Sequence, residues 1–595
     1  MDVFAGAGGL GEGFAACPKR SAPAFRVALS IEKDYAAVRT LRLRAFYHAF
    51  SPEHVPEDYY RLLQGKTVPE RMTAYLSGTI PLSQLLEGYT NTLTDEVGVV
   101  WHKELSDNPN LEQELDERIK AVISGRNDWV LVGGPPCQPF STVGRSKQKS
   151  LAGYQLETDA RHELYREYLR VIVRHWPAVF IMENVSGILS AKVNGHNIFP
   201  RILEDLGDPE HAFGNTTKPS QNRHTYNLFP LEETAVTKND LFGVRADPKA
   251  YLIQCEKHGI PQMRHRVILL GIRSDIDIRP RTLNACLSDA PTVISVIDGL
   301  PRLRSGIART PESRDQWRQI AEAVYVENVT ACLTLQEMDD VLDTDHQWLA
   351  TLKSATQQTW YDELENDGQH DITTKIRNVL ANIKSPKAGR GSDCIPVKSC
   401  WSSKHHDPDL KAWIDDPRMN FICQHAAREH MPRDLHRYLF VAAFAAVRLA
   451  SPRLRDFPKS LLPEHKNVGR AMSNGNFADR FRSQMENQPA TTVLSHIAKD
   501  GHYFIHHDPS QVRSLSVREV ARLQTFPDNY WFSGSRSEQY TQIGNAVPPL
   551  LSFQIAEIVA DVISRWKQQS EDKAMHLQQS ALHIKQKEAA GTPTL

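Results

Sequence analysis

Asp2-Val3-Phe4-Ala5-Gly6-Ala7-Gly8-Gly9-Leu10-Gly11-Glu12-Gly13-Phe14 decides how the chain is read. Its glycines stand where a strand must turn tightly into a helix, and without Cβ atoms they let backbone approach a ligand closely. Gly6-x-Gly8-x-x-Gly11, with Glu32 about 20 residues on, meets the dinucleotide-binding fingerprint, in which a carboxylate after the second strand accepts hydrogen bonds from ribose hydroxyls. The loop alone does not choose between a nicotinamide dinucleotide, S-adenosylmethionine and a bare structural turn.

Working outward, Val27 to Ile31, Trp129 to Val132, Val179 to Met182 and Val267 to Ile272 read as buried strands separated by helical patterns. That rhythm predicts an α/β fold with a parallel sheet over residues 1–284. From 285 to 510 the texture shifts to polar helices, an acidic stretch from Glu337 to Asp345 and a Gly/Ser/Pro/Lys-rich stretch from Ser385 to Ser403, which predicts a separate inserted domain. A helix over Ser516 to Gln524, the run Gln542-Ile543-Gly544-Asn545-Ala546-Val547-Pro548-Pro549 and an apolar helix from Leu550 to Ile563 make a return segment, 511–565. A polar tail, 566–595, is expected to fray.

The chain has 595 residues, too long for one core at roughly 100 to 200 residues per domain. With 70 Lys and Arg against 71 Asp and Glu, the net charge is -1, so a nucleic-acid surface has to be a local patch. No window approaches the roughly 18 consecutive apolar residues that span a bilayer; Tyr438 to Val447 stops at Arg448 and reads as a buried helix. Met1 runs into Asp2 and Val3 with no basic segment or cleavage-type site, so secretion is not expected. The cysteines at 17, 137, 255, 286, 332, 394, 400 and 423 form no CxxC pair, which points to reduced thiols in a cytoplasm-like compartment.

Gly133-Gly134-Pro135-Pro136-Cys137-Gln138-Pro139-Phe140-Ser141 follows the strand that ends at Val132. Strand ends of a doubly wound sheet are where ligands bind, and the two prolines restrict the backbone just ahead of the sulfur. A lone cysteine is most often a small buried hydrophobe, but this polar, proline-rich setting suits a functional loop better than a core.

These segments together resemble the cytosine-C5 DNA methyltransferase family. The family's ordered motifs recur as Phe4-x-Gly6-x-Gly8, Glu32, Pro135-Pro136-Cys137-Gln138, Asp159-x-Arg161-x-x-Leu164, Glu183-Asn184-Val185, Gln262-x-Arg264-x-Arg266, Arg518-Glu519-x-x-Arg522-Leu523-Gln524-x-Phe526-Pro527 and Gly544-Asn545-Ala546-Val547-Pro548-Pro549, spanning residues 1 to about 560. The resemblance implies a Rossmann-like, S-adenosylmethionine-dependent methyltransferase domain with an inserted target-recognition domain. Phe4, Gly6, Gly8, Glu32, Pro135 and Asn545 match its cofactor contacts.

The chemistry requires that C6 of cytosine gain a nucleophile before C5 attacks a sulfonium methyl, and a thiolate suits this best. The resemblance makes Cys137 that nucleophile. Arg145, Arg264 and Arg266 are candidate electropositive neighbours for its thiolate. Glu183, after an apolar strand, can hold a proton toward N3, since burial favours its neutral form, and Asn184 is expected to orient it. Strand alternation sends Gln262, Arg264 and Arg266 to one face. The resemblance gives Arg264 the base-facing role and Arg266 a supporting one, and it expects Gln138, Ser141, Arg145 and Gln262 to contact DNA. The target base has to leave the duplex to be reached. No metal is needed; Cys423-x-His425 with His430 and His436 lacks a second paired cysteine at finger spacing.

The implied function is transfer of a methyl group to C5 of a flipped-out cytosine in double-stranded DNA, in a bacterial, nucleoid-associated cytoplasmic setting. The chain would be a monomer and a restriction-modification partner of an endonuclease that reads the same site without a stable complex. Within 285–510, the basic stretches Arg302 to Arg318 and Lys375 to Lys404 could follow phosphates. Two departures stand out: the acidic motif after the third strand has no clean counterpart between Glu32 and Asp128, where helical residues Tyr59 to Asn91 intervene, and only three residues precede the glycine loop's Phe4. A dehydrogenase does not explain Pro-Pro-Cys-Gln. A transfer-RNA cytosine methyltransferase would have a smaller recognition region, and a catalytically silent DNA-binding relative would have lost Cys137 or Glu183.

Overall fold

The structure is a computed structural model; it describes residues 1–136, 163–213, 223–232, 247–285, 289–307, 355–464, 468–469, 472 and 478–590, less 20–21, 94–97, 107, 194–195, 382, 384–385 and 387–388. Cys137, Gln138, Ser141 and Arg145 lie outside the described residues, as do the acidic stretch from Glu337 to Asp345 and most of Arg302 to Arg318.

An eight-stranded sheet forms the centre. Its strands are β1 (Asp2–Val3), β2 (Leu29–Glu32), β3 (Val99–His102), β4 (Val130–Gly133), β5 (Val179–Val185), β6 (Tyr226–Phe229) and β7 (Leu252–Gln254), and, after the short β8 (Gln262–Met263) outside it, β9 (His265–Arg273). The order is β6-β9-β5-β4-β1-β2-β3, with β7 also paired to β9. Strands β1 to β5 pair in parallel, as the sequence rhythm predicts, but β9 runs antiparallel to β5, β6 and β7. The sheet is therefore mixed and not all parallel. Residues Val179 to Met182 of β5 are buried on both faces, which explains an unbroken apolar run where a one-sided strand would alternate.

Helices cover both faces. Leu10 and Phe14 of α1 (Gly9–Ala16) share one core with Val130, Ile268 and Leu270 of the sheet and with Leu551, Ile555 and Val559 far along the chain. The opposite face carries Leu115 and Ile119 of the helix Pro109–Ile123, Leu169 and Ile172 of Glu163–His175, and Ile202 and Leu206 of Phe199–Gly207.

Between β2 and β3 the chain forms α2 (Tyr35–Tyr47), α3 (Glu57–Leu63), α4 (Glu70–Ser77) and α5 (Leu82–Leu86), with Asp34 capping α2 by accepting from Ala37 N at 2.8 Å. These helices meet a hairpin of the second half, β10 (Gly391–Pro396) and β11 (Phe421–Ala426), because Phe421 and Cys423 join the core of Leu43, Phe46, Tyr59 and Leu63. A further core joins Ala7 of the glycine loop, Val296 and Ile297, Trp401, and Val520, Leu523 and Ile543. Cores thus cross the expected boundaries at 284/285 and 510/511.

Tyr438 to Val447 is a buried helix, as expected, running Pro432–Arg448. The return segment is built from α6 (Val517–Leu523), α7 (Arg536–Asn545) and α8 (Pro549–Ala590), so the helix after Pro549 runs on through most of the expected tail. Arg536–Ser580 contains a window long and apolar enough to cross a bilayer, yet 67% of that window is buried inside the protein.

Candidate active site

The glycine loop is held in an unusual backbone shape. Phe4 has φ 57°, Gly6 56° and Gly8 83°, all in the left-handed region, and for Phe4 that conformation costs strain. Gly8 N donates to Ala5 O at 2.8 Å, and Gly6 N donates to Glu32 Oε2 at 2.8 Å. Glu32 Oε1 accepts from Lys33 N and Asp34 N, each at 2.8 Å. The carboxylate is thus fixed at the end of β2, with lone pairs left for further donors. A Cβ on Gly6 would meet nothing within 4 Å, so the loop faces open space there, and Asn545 stands exposed at the end of α7. An anchored carboxylate, an open glycine backbone and an exposed amide suit a nucleoside with ribose hydroxyls.

The loop is closed from behind by the far end of the chain. A Cβ on Gly9 would lie 2.2 Å from Val547 O, so only glycine lets the return segment come this close. Ser552 Oγ donates to Leu10 O at 2.7 Å, and Tyr530 OH donates to Ala7 O.

The third strand, which the sequence reading missed, is β3. His102 pairs in register with Glu32, its Nε2 lies 3.0 Å from Lys33 O, and its ring packs 5.5 Å from that of Tyr35. Glu104, two residues on, lies 2.9 Å from Lys33 Nζ. The signal was Val99-Val100-Trp101, a short apolar run partly hidden by the helical insertion before it.

At the other strand ends, β4 leads through Gly134 into Pro135 and Pro136, and Glu183 lies on the neighbouring β5. A Cβ on Gly134 would sit 3.0 Å from Glu183 Oε2, so the stem of the cysteine loop touches this carboxylate. On its other side, Glu183 Oε1 lies 2.8 Å from Arg266 Nε. That contact is an ion pair without an aligned hydrogen bond, because Arg266 Nε–H has no acceptor in line. Asn184 is buried and accepts from Val185 N at 2.8 Å, which braces the strand end.

Two expectations are corrected here. Arg264 does not face the base: it is fully buried, with Nη1 donating to Val493 O at 2.9 Å and Nη2 to Gly544 O at 3.1 Å. The guanidinium beside Glu183 is that of Arg266, because β9 pairs Arg266 with Val185, two residues beyond Glu183. Burial and the charge of Arg266 make the Arg264 cation costly and push its pKa down. Gln262 is not on a DNA surface either. It is wholly buried, donating from Nε2 to Leu523 O at 3.2 Å and Gln524 Oε1 at 2.6 Å, and accepting from Val493 N at 2.8 Å. Strand β8 pairs in parallel with Ala490–Thr491, so the Gln-x-Arg segment is a seam that joins the sheet to the 285–510 segment and, through Leu523, Gln524 and Gly544, to the return segment.

The Arg518-Glu519-x-x-Arg522 helix is an internal brace. Ser516 and Glu519 cap it reciprocally, and Arg513 meets both Glu519 oxygens at 2.7 Å. Arg522 meets both oxygens of Asp528, at 2.9 and 2.7 Å, while Arg518 donates to Cys423 O, Pro527 O and Tyr530 O. All three arginines of this cluster are fully buried. Cys423, His425 and His430 do not converge on one point: Cys423 Sγ donates to Leu63 O, His425 sits between Ser516 Oγ and Pro301 O, and His430 lies against Ser514. Cys400, Asp415 and Asp528 bring ligand atoms within 4.8 Å of one another, but Arg522 already holds Asp528.

Comparison with known proteins identifies the family. The family model for C-5 cytosine-specific DNA methylase matches residues 112–213 and 242–560. The chain is 28% identical over 571 residues to the type II methyltransferase M.Bpa9945I of Bacillus paralicheniformis, covering 95% of this chain and 99% of that protein. It is 27% identical over 451 residues to the type II methyltransferase M.AgeI of Thalassovita gelatinovora, covering 74% and 85%. Against the DNA (cytosine-5-)-methyltransferase M.ApeKI of Aeropyrum pernix it is 25% identical over 465 residues, covering 74% and 83%. With the family match running over strands β4 and β5, the Gln262 to Arg266 segment and the return segment, and covering well over half of the chain, the chain belongs to the C-5 cytosine-specific DNA methylase family.

Proposed function

We propose that this protein methylates C5 of one cytosine within a short sequence of double-stranded DNA, drawing the methyl group from S-adenosylmethionine. The observation that carries the reading is the contact of Glu183 with both the stem of the Pro135-Pro136-Cys137 loop and the Arg266 guanidinium.

The chain's residues divide the work as follows. The open glycine backbone and Glu32 bind the nucleoside end of the methyl donor, with Asn545 and Pro135 at its edge. S-adenosylmethionine supplies an electrophilic sulfonium methyl when bound. Cys137, one residue past Pro136, adds its sulfur to C6 of the flipped-out cytosine, and electron density moves toward N3 and O2. Glu183 holds a proton at N3, and Arg266 fixes Glu183 and offers its Nε–H side to O2. Arg264 and Arg266 together bring two positive charges against the one carboxylate of Glu183, a field that favours a thiolate nearby. C5 then bonds to the methyl group as the methyl's bond to the donor's sulfur breaks, leaving S-adenosylhomocysteine. The C5 proton passes to solvent, its bonding electrons restore the C5–C6 double bond, and the Cys137–C6 bond breaks with its electrons returning to the sulfur.

The names of the relatives support a place in a restriction-modification system, with an endonuclease reading the same site without a lasting complex. In that role the protein acts as a monomer on nucleoid DNA in the cytoplasm. Gln138, Ser141 and Arg145 are the proposed DNA contacts of the cysteine loop, and the segment 285–510 supplies target recognition.

Base-resolution mapping of 5-methylcytosine on unmethylated plasmid, after incubation with the protein and S-adenosylmethionine, tests this. The expected result is methylation confined to one short sequence and absent with Cys137→Ala. Absence of DNA methylation by a folded protein that binds the methyl donor overturns the reading.

A further inference from the structure

We propose that Cys394 and Cys423 form a reversible cross-strand disulfide when the protein meets a low-molecular-weight disulfide such as oxidised glutathione. They lie far apart in sequence and carry no motif, so only the pairing of β10 with β11 brings them together.

The register of that hairpin sets Cys394 directly opposite Cys423. Directly opposed residues of an antiparallel pair project to the same face. Both cysteines accordingly pack against the cluster of Leu63, Tyr60 and their neighbours on α3. The hydrogen-bond alternation fixes the type of pair. Val397 N donates to Asn420 O at 2.9 Å, so Val397 and Asn420 form a bonded pair. Stepping back along the ladder, Pro396 and Phe421 are non-bonded, as an imino acid without N–H requires, Ile395 and Ile422 are bonded, and Cys394 and Cys423 are non-bonded. Non-bonded pairs have the closer Cα spacing, about 4.5 Å, which falls within the roughly 4.4–6.8 Å that disulfides span. Both thiols are free in the structure.

The two sulfurs differ in setting. Cys394 is partly exposed, with the Lys66 ammonium near enough to favour its thiolate against the effect of burial. Cys423 is fully buried, its Sγ donates to Leu63 O at 3.5 Å, and burial pushes its thiol up to about 12. Cys394 is therefore the attacking sulfur and Cys423 the resolving one. The Cys394 thiolate attacks one sulfur of oxidised glutathione, forming a mixed disulfide and releasing one glutathione thiolate. The Cys423 sulfur then displaces the second glutathione as it loses its proton to solvent. Two electrons pass from the protein pair to the glutathione disulfide, and two glutathione thiols result. Closure takes the Cys423 S–H away from Leu63 O, so the bond reports directly on the contact between the hairpin and α3.

Methyl-transfer activity cannot read this out, because Cys137 is a thiol as well. Instead, the native full chain is equilibrated in glutathione redox buffer, alkylated, digested and mapped by mass spectrometry. The expected product is a single linked peptide pair joining Cys394 to Cys423, which dithiothreitol returns to two free thiols. In Cys423→Ser, Cys394 accumulates as the glutathione adduct; in Cys394→Ser, no link forms and Cys423 stays free. The same treatment in urea scatters links among several cysteines. Native protein that keeps both thiols free, stops at the Cys394 adduct, or gives the scattered pattern overturns the proposal, provided circular dichroism shows it folded.

Discussion

Arg266 Nε lies 2.8 Å from Oε1 of Glu183, and no other guanidinium shares that carboxylate among the described residues. The two residues come from neighbouring antiparallel strands, so their separation is set by backbone pairing and not by a flexible loop. Removing either group should strike catalysis more than folding if the other is left with a polar substitute. Glu183→Gln, which keeps shape and hydrogen bonding, is expected to lower kcat by about 10²–10⁴-fold, the usual range for a lost acid–base group. Arg266→Lys should fall in between wild type and Arg266→Ala. Single-turnover transfer of labelled methyl groups, with thermal melts as a folding check, measures both; unchanged turnover in Glu183→Gln would remove this carboxylate from the chemistry.

Glu32 makes three charge-assisted bonds to backbone amides and faces the open glycine loop. Glu32→Ala loses those bonds and the expected ribose contact, each charged hydrogen bond being worth about 1.5–3 kcal/mol. Affinity for S-adenosylhomocysteine, used as a stable probe in titration calorimetry, should fall at least about tenfold. DNA binding without the probe should stay within about twofold of wild type.

Gln262 tests where the seam ends and the DNA surface begins. Its amide bonds leave Val493 N and Leu523 O without partners when removed, and each buried orphan costs about 1–3 kcal/mol. Gln262→Leu is therefore expected to lower the urea midpoint by an amount equal to about 2–4 kcal/mol while leaving non-specific DNA affinity intact. Weakened DNA binding with unchanged stability would instead return this side chain to the interface.

Acid should loosen the second half of the molecule through its buried histidines. Pro301 O can only accept, so His425 Nε2 must carry the hydrogen, and Nδ1 of the neutral ring accepts from Ser516 Oγ. Burial pushes His425 down from 6.5 to about 4, His436 to about 4 and His430 to about 3. A depressed histidine binds fewer protons folded than unfolded, so its contribution is complete above pH 6.5 and shrinks as pH falls toward 4, by at most about 1.4 kcal/mol per pH unit for each ring. Asp2, pushed up to about 7 by burial, works in the opposite direction over the same span. The diagnostic is thus a difference: the fall in urea midpoint from pH 6.5 to 4.5 should be shallower in His425→Gln than in wild type.

Most of the catalytic sheet was legible because its strands end in motifs. Glycines at 6 and 8, the Pro-Pro turn and Glu183 each announce a strand end, and the structure sets strands where the apolar runs stood. Strand alternation also singled out Gln262, Arg264 and Arg266, and all three are buried. What it could not give was what each of them meets. Arg264 meets carbonyls at Val493 and Gly544, from segments more than two hundred residues away, while Arg266 stops at Glu183. The antiparallel strand Tyr226–Phe229 left no signal because three of its four residues are not buried. The burial of Arg513 and Arg522 was not legible, since a sequence shows a charge but not the carboxylate, Glu519 or Asp528, that neutralises it.

The packing of α1 against α8 has a consequence for how the protein is made. Leu10 and Phe14 leave the ribosome first among the core residues of their layer, and their partners Leu551, Ile555 and Val559 leave among the last. During synthesis the opening helix must wait with its apolar face uncovered, and long-range closure of this kind is slow and exposed to chaperones. A prematurely terminated chain lacks the wall behind its glycine loop and would have no competent site. Activity therefore appears only once translation has passed the closing helix, so broken messages yield no partially active enzyme.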